Sequence, residues 1–185
     1  MKKTAILLVG AMAILSVGAS RCKISSGTSF ELTILHTNDM HSAMRPPAAD
    51  EVGLGGLARM KTLIDRLRKD RPLSVLLDAG DWSEGRLLFS LDAGGNMLKI
   101  MGLMGFDAAV VGNHDYLAGP DALISAVKAG QSSMPVLAGN LDLSVYPRAE
   151  ELRKYIGSNL ILDRGGMKIG IIGLTNFDYF YSFYM

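Results

Sequence analysis

Three short clusters in this chain hold side chains that ligate metals and move protons: Asp39-Met40-His41, Gly80-Asp81 and Gly112-Asn113-His114-Asp115. A carboxylate and an imidazole two residues apart suit a borderline divalent ion such as Zn²⁺, Mn²⁺ or Fe²⁺ better than Ca²⁺. Asp81 offers two oxygens and can bridge two ions, and Asn113 adds a neutral carbonyl oxygen. Two ions about 3.5–4 Å apart can activate a water as nucleophile and clamp the phosphoryl oxygens of an in-line displacement. His114, directed elsewhere than Asn113, would donate a hydrogen bond to the phosphoryl group or a proton to the leaving oxygen. The chemistry indicated is hydrolysis of a phosphate ester. A glycosidase-like pair of carboxylates would leave the histidines without a task.

One such cluster alone says little, because Asp and Asn at strand ends are ordinary turn formers. Order and context carry the argument: each cluster follows a strand-like run, and two of the three histidines lie inside them. The third, His36, stands upstream on its strand and is expected to be a hydrogen-bonded packing residue.

The elements that must position these clusters alternate between strand and helix. Leu32 to Leu35 is a strand-like run ending in His36-Thr37-Asn38-Asp39. Extended backbone there would project Asp39 and His41 to one side, since strand side chains alternate with period two. Residues 56–69 form an amphipathic helix, with Leu57, Met60, Leu63, Ile64 and Leu67 at helical spacing. Leu73 to Leu77 is a buried-type strand running into Asp78-Ala79-Gly80-Asp81. Residues 86–104 are helical in two pieces, broken at Gly94-Gly95, and Met97, Ile100, Met101 and Met104 form a core face rather than a ligand set.

Ala108 to Val111 is a third strand. Gly119-Pro120 opens a helix with Gly130 just past its end. Val136-Leu137-Ala138 is a fourth strand, and Leu160 to Leu162 pairs with Met167 to Leu174 as a hairpin. This is an α/β class with mostly parallel strands and a C-terminal hairpin. All three clusters fall at the C-terminal ends of strands, the edge where open α/β sheets bind ligands.

Composition narrows the partners. The 185 residues carry a net charge of +1. Residues 1–20 hold Lys2 and Lys3 and no acid, so the rest carries 17 basic and 18 acidic residues, a net of −1. No field exists to attract a nucleic-acid polymer or an anionic membrane, so the partner must be argued from the site, whose chemistry indicates a small phosphate ester. Lys2-Lys3, the apolar run Ala5 to Val17 and the small residues Gly18, Ala19 and Ser20 have the layout of a secretory signal over 1–20. Export to a periplasmic or extracellular location is therefore expected.

A polar tether over 21–29 follows, then a domain over 30–185. The only cysteine, Cys22, stands where a lipoprotein carries its lipid anchor, although Arg21 replaces the usual small residue before it. With one cysteine no internal disulfide forms, so stability rests on packing and on bound metal.

The clusters resemble those of the calcineurin-like metallophosphoesterases. Ile34-Leu35-His36-Thr37-Asn38-Asp39, Asp78-Ala79-Gly80-Asp81 and Val110-Val111-Gly112-Asn113-His114-Asp115 look like the secreted 5′-nucleotidase and 2′,3′-cyclic phosphodiesterase branch. So do Ala138-Gly139-Asn140-Leu141 and Lys168 to Thr175. The resemblance implies a four-layer α/β/β/α sandwich with two divalent ions, Zn, Mn or similar. Asp39, His41 and bridging Asp81 would serve one ion, and Asp81 and Asn113 would begin the other. His114 would stabilise the transition state, with Asn113 and His114 meeting the substrate.

Two departures stand out. Many family members carry an Asp three residues after this histidine; here the position is Leu117, leaving Asp115 or Asp121 as substitutes. The family also takes further metal-ligating histidines from its second half, and this chain has none after His114. The second metal site is thus expected to be incomplete, and the aromatic run Phe177 to Tyr184 reads as an interrupted end. The alternatives to an active hydrolase are a catalytically inactive truncated fragment and a non-catalytic surface binding module.

Overall fold

A computed structural model describes residues 4–9, 29–46, 55–85, 87–130 and 134–176. Cys22, nearly all of the tether and the aromatic run from Phe177 lie outside the described residues. The first described strand, β1 (Thr4–Val9), falls within the segment read as a leader and pairs in parallel with the last strand.

The main sheet has five parallel strands in sequence order: β2 (Thr33–Thr37), β3 (Ser74–Asp78), β4 (Ala108–Val110), β5 (Val136–Leu137) and β6 (Ile156–Gly157). The crossovers carry α1 (Leu57–Asp70), then α2 (Leu87–Asp92) and α3 (Gly95–Met104), then α4 (Pro120–Gly130), then α5 (Ala149–Leu152). Because the strands advance in one direction and such crossovers are right-handed, the helices fall on one face of the sheet. The other face is covered by a hairpin of β7 (Asn159–Arg164) and β8 (Met167–Gly173), which joins β1 in a second, three-stranded sheet. The α/β architecture with a parallel sheet and antiparallel hairpin is as the sequence predicts. Of the expected four layers, the described residues form three, α/β/β.

Two apolar cores result, and strand alternation divides the residues between them. Leu76, Ala109, Val111 and Val136 face the helices, packing with Ile64, Met97, Leu98, Met101 and Leu123. Val75, Leu77, Ala108 and Leu137 face the hairpin, packing with Met167, Ile169 and Ile171. All of β3 is buried, as suits a strand covered on both sides. The methionines of α3 are core, with Met97 and Met101 fully buried. The break between α2 and α3 comes at Ala93-Gly94, both with positive φ, and Gly130 is the last residue of α4 rather than the one beyond.

The reading of His36 is corrected. It is exposed, together with Ile34, on one face of the edge strand β2, while Leu35 turns to the helical core. Among the described residues nothing covers that face of the edge strand, so His36 is left exposed.

Ile169, fully buried between the two sheets, holds the hairpin against β3. Ile169→Ala should lower unfolding stability by about 2–5 kcal/mol in urea denaturation. Truncating the exposed Ile161 of the same hairpin should change it by no more than about 0.5 kcal/mol.

Candidate metal centre

The strand-end clusters do converge, but the first does so by another route than alternation. β2 ends at Thr37, and Asp39 (φ 53°), His41 (φ 44°) and Ser42 (φ 52°) all take left-handed backbone conformations. What holds them is pairing between loops. Asp39 N–H donates to Gly80 O at 3.0 Å, His41 N–H to Asp81 O at 2.9 Å and Ser42 N–H to Trp82 O at 3.1 Å. The loop after β2 is thus laid along the loop after β3, and this brings Asp39 and His41 to Asp81.

A buried carboxylate ties the third loop to the second. Asp115 Oδ2 accepts the N–H groups of Asp81 (2.9 Å) and Gly112 (2.8 Å), and its Oδ1 accepts that of Ser83 (2.8 Å). In return His114 N–H donates to Asp81 Oδ1 at 2.8 Å, which fixes the Asp81 carboxylate. The two loops touch backbone to backbone: a Cβ on Gly112 would lie 2.2 Å from Asp81 Oδ1, and one on Gly80 would lie 2.8 Å from Gly112 Cα. Glycine at both positions is a steric requirement of the site.

The resulting donor set fits a divalent ion. Ligand atoms of Asp39, His41 and Asp81 lie within 4.8 Å of one another, two carboxylates and one imidazole. Asp39 is exposed, His41 partly buried and Asp81 buried, so the site opens at the sheet edge. His41 Nε2 lies 3.7 Å from Asp39 Oδ1. Asn113 and His114 begin a short 3-10 turn (His114–Tyr116) beside it, and the His114 ring meets the His41 ring edge to face at 4.7 Å.

Neither substitute proposed for the carboxylate absent at Leu117 faces the His114 ring. Asp115 is spent on backbone N–H groups, and Asp121 binds Tyr146 Oη and Arg148 Nη1, each at 2.7 Å. The carboxylate at the ring is Glu84, whose Oε2 lies 3.1 Å from His114 Nδ1 and 3.4 Å from His41 Nδ1. Glu84, His41 and His114 form a second convergent group of ligand-type atoms within 4.8 Å. The sequence reading missed Glu84; its only signal is an acid three residues beyond Asp81, next to a glycine.

Burial shapes the electrostatics. Asp78 lies beneath the site, bound by Thr37 Oγ1 at 2.6 Å and Gly80 N–H at 3.0 Å. Desolvation pushes its pKa up to about 7, against those hydrogen bonds and helped by repulsion from Asp115 and Asp81. Burial likewise pushes Asp115 up to about 6, even though backbone hydrogen bonds favour its ionised form.

The chain is similar to known proteins in sequence and in fold. The profile of the calcineurin-like phosphoesterase family matches residues 32–183. Among curated relatives, a snake venom 5′-nucleotidase of Gloydius brevicauda is 36% identical over 182 residues, 92% of this chain and 29% of its own length. The 5′-nucleotidase of Mus musculus is 31% identical over 170 residues, 88% of this chain and 29% of its own length. Among solved structures, a 5′-nucleotidase precursor from Thermus thermophilus superposes with TM-score 0.68 at 33% identity, over 78% of this chain and 28% of that one. The NAD nucleotidase of Haemophilus influenzae does so with TM-score 0.68 at 28% identity, over 81% and 27% respectively. The chain spans less than a third of the length of these relatives.

Two predictions follow from the buried carboxylates. Asp115→Ala leaves three backbone N–H groups without their acceptor, at roughly 1–3 kcal/mol for each that stays dry. Urea denaturation should show a loss of at least about 2 kcal/mol, and calorimetric titration should show weakened Mn²⁺ binding, because Asp81 is no longer anchored. The second concerns pH. Asp78 and Asp115 have folded-state pKa values of about 7 and about 6, above the ordinary 3.8, so the native state holds protons that the unfolded chain releases. Their contribution is fully present below the ordinary value and is lost as pH rises through 6 and 7. The metal-free chain should therefore have a higher urea midpoint at about pH 5 than at about pH 8. Asp78→Asn, neutral and able to keep both hydrogen bonds, should flatten that difference.

Proposed function

This chain belongs to the calcineurin-like phosphoesterase family, and on that premise we propose that it carries the front part of an exported, metal-dependent hydrolase of nucleotide phosphate esters. The observation that carries the reading is the convergence of Asp39, His41 and Asp81 at the sheet edge, with His114 fastened to Asp81 through its backbone N–H. Asp39, His41 and Asp81 would hold one divalent ion, and Asp81 with Asn113 would supply the first ligands of another. Bound there, such ions supply Lewis acidity, neutralising phosphate charge and lowering the pKa of water.

The chain's own residues supply the rest. Asp81, held by the His114 N–H, is the rigid anchor against which the other ligands are measured. Asn113 and His114 share the turn that faces the phosphate, Asn113 through its amide and His114 through its ring. His114 binds a phosphoryl oxygen or gives a proton to the departing ester oxygen. The donor set serves a phosphate dianion better than a neutral ester, because the metals would neutralise its charge. Similarity to 5′-nucleotidases favours a nucleoside monophosphate. Residues 1–20 read as a leader, which agrees with an enzyme acting outside the cytoplasm.

The test is hydrolysis of AMP and of bis-p-nitrophenyl phosphate by the purified chain with added Mn²⁺. Metal-dependent turnover is expected, lost to background in Asp81→Ala and reduced about 100-fold or more in His114→Ala. Mn²⁺ binding without turnover in the wild type would instead identify a non-catalytic fragment. Absence of both would overturn the reading.

A further inference from the structure

Among the described residues, Glu84 is the one carboxylate in the site with neither a backbone group to hold nor a place in the Asp39–His41–Asp81 set. Its Oε2 lies between two imidazoles, 3.1 Å from His114 Nδ1 and 3.4 Å from His41 Nδ1. We propose that Glu84 is a positioning residue that takes the Nδ1–H of both histidines, so that His41 and His114 each present a bare or exchanging Nε2 to the metal and the substrate. The inference rests on the phosphoesterase reading and names a residue for it.

Three features support this role. First, the two nitrogens of His41 face different partners: Nε2 looks to Asp39, and Nδ1 to Glu84. A metal-bound imidazole whose second nitrogen meets a carboxylate is oriented and made more basic by it. Second, His114 Nδ1 is buried and makes no aligned hydrogen bond as the side chains stand. A buried ring N–H needs an acceptor, and a small turn of the Glu84 carboxylate supplies one. Among the described residues Glu84 is the acid paired with this ring, whereas Asp115 is engaged by three backbone N–H groups and Asp121 by Tyr146 and Arg148.

Third, the fold fixes where Glu84 sits. Trp82 O accepts from Ser42 N–H on one side, and Ser83 N–H donates to Asp115 on the other. Glu84 (φ 56°) and Gly85 (φ 85°) then turn left-handed, which presses Gly85 against His41: a Cβ on Gly85 would lie 3.1 Å from His41 Cβ. A left-handed glutamate costs about 1–2 kcal/mol, so this geometry is enforced by its surroundings.

The consequence is a shared tautomer. With Nδ1 protonated on both rings, the Nε2 of His41 has its lone pair for a metal, and the Nε2 of His114 is the atom at which a proton or a phosphoryl oxygen is exchanged. One carboxylate would thereby set the ligand and the acid–base group together.

The test is a long-range ¹H–¹⁵N correlation spectrum of the full, ¹⁵N-labelled chain without metal at neutral pH, which reads each histidine's tautomer directly. Three histidines make the spectrum assignable, and exposed His36 serves as the reference. In wild type, His41 and His114 should both be mainly Nδ1–H. In Glu84→Ala both should shift to mainly Nε2–H, the form a free imidazole prefers, with His36 and the backbone amide spectrum otherwise unchanged. Glu84→Gln, whose amide oxygen still accepts, should keep the wild-type pattern. A wild-type His114 found as Nε2–H, or tautomers indifferent to Glu84→Ala, would overturn the proposal. Added Zn²⁺ should move the Nε2 resonance of His41; if it moves Nδ1 of both rings, the three groups are ligands of one ion and the positioning role is wrong. None of these readouts needs turnover, so a chain that neither binds Mn²⁺ nor turns over would sink the phosphoesterase proposal and leave this one to its own result.

Discussion

The Asp115 carboxylate, wholly buried behind the site, accepts hydrogen bonds from the backbone N–H groups of Asp81, Ser83 and Gly112. The loops after β3 and β4 have no ladder to satisfy them once their strands end, and each would otherwise bury donors without partners. Joining them through one acid solves that problem and at the same time sets the distance between Asp81 and the Asn113–His114 turn. The first loop is then added by backbone pairing from Asp39 to Ser42 along Gly80 to Trp82. The candidate ligand side chains are therefore positioned by main-chain hydrogen bonds and one buried acid.

That economy has a cost in backbone strain. Asp39, His41, Ser42, Asp81 and Glu84 all have φ between 44° and 58°, five of the six non-glycine residues with positive φ among those described. At about 1–2 kcal/mol each, such conformations persist only where the surroundings over-determine them. Gly80 and Gly112 make the strain bearable, because their missing side chains let the two loops touch. Burial adds a second cost, visible in Asp78 and Asp115, whose pKa values rise to about 7 and about 6. A divalent cation at Asp81 would oppose both carboxylates' tendency to protonate, which links metal loading to stability of the whole edge.

Much of this was legible in the sequence. Buried apolar runs and the 3.6-residue pattern of 56–69 are strong, local signals, and they placed every strand of the main sheet except the two-residue β6. The polar clusters after β2, β3 and β4, the last two opened by glycine, are the ones the loops bring together. What failed was whatever depends on side-chain direction at a distance. Asp39 and His41 were expected on extended backbone, and period-two logic gave the right meeting by the wrong geometry. His36 was expected to pack because it lies in a strand, yet strand order decides whether a face is covered, and β2 is an edge. Asp115 and Asp121 were considered for His114 because they are close in sequence, whereas Glu84 comes from another loop.

The distribution of acids shows why proximity along the chain misleads here. Asp115 is adjacent to His114, but a buried acid beside two strand-end loops is consumed by N–H donors that have no other acceptor. Asp121 opens α4 and is drawn to Arg148 and Tyr146. A carboxylate can orient a catalytic imidazole only if the backbone has no prior claim on it, and a residue on a strained, partly exposed turn meets that condition. Glu84 does, because the bonds that fix its loop are made by Trp82 and Ser83 rather than by its own side chain. The scaffold's need for a buried acceptor at Asp115 thus pushes the task of orienting His114 onto a different loop.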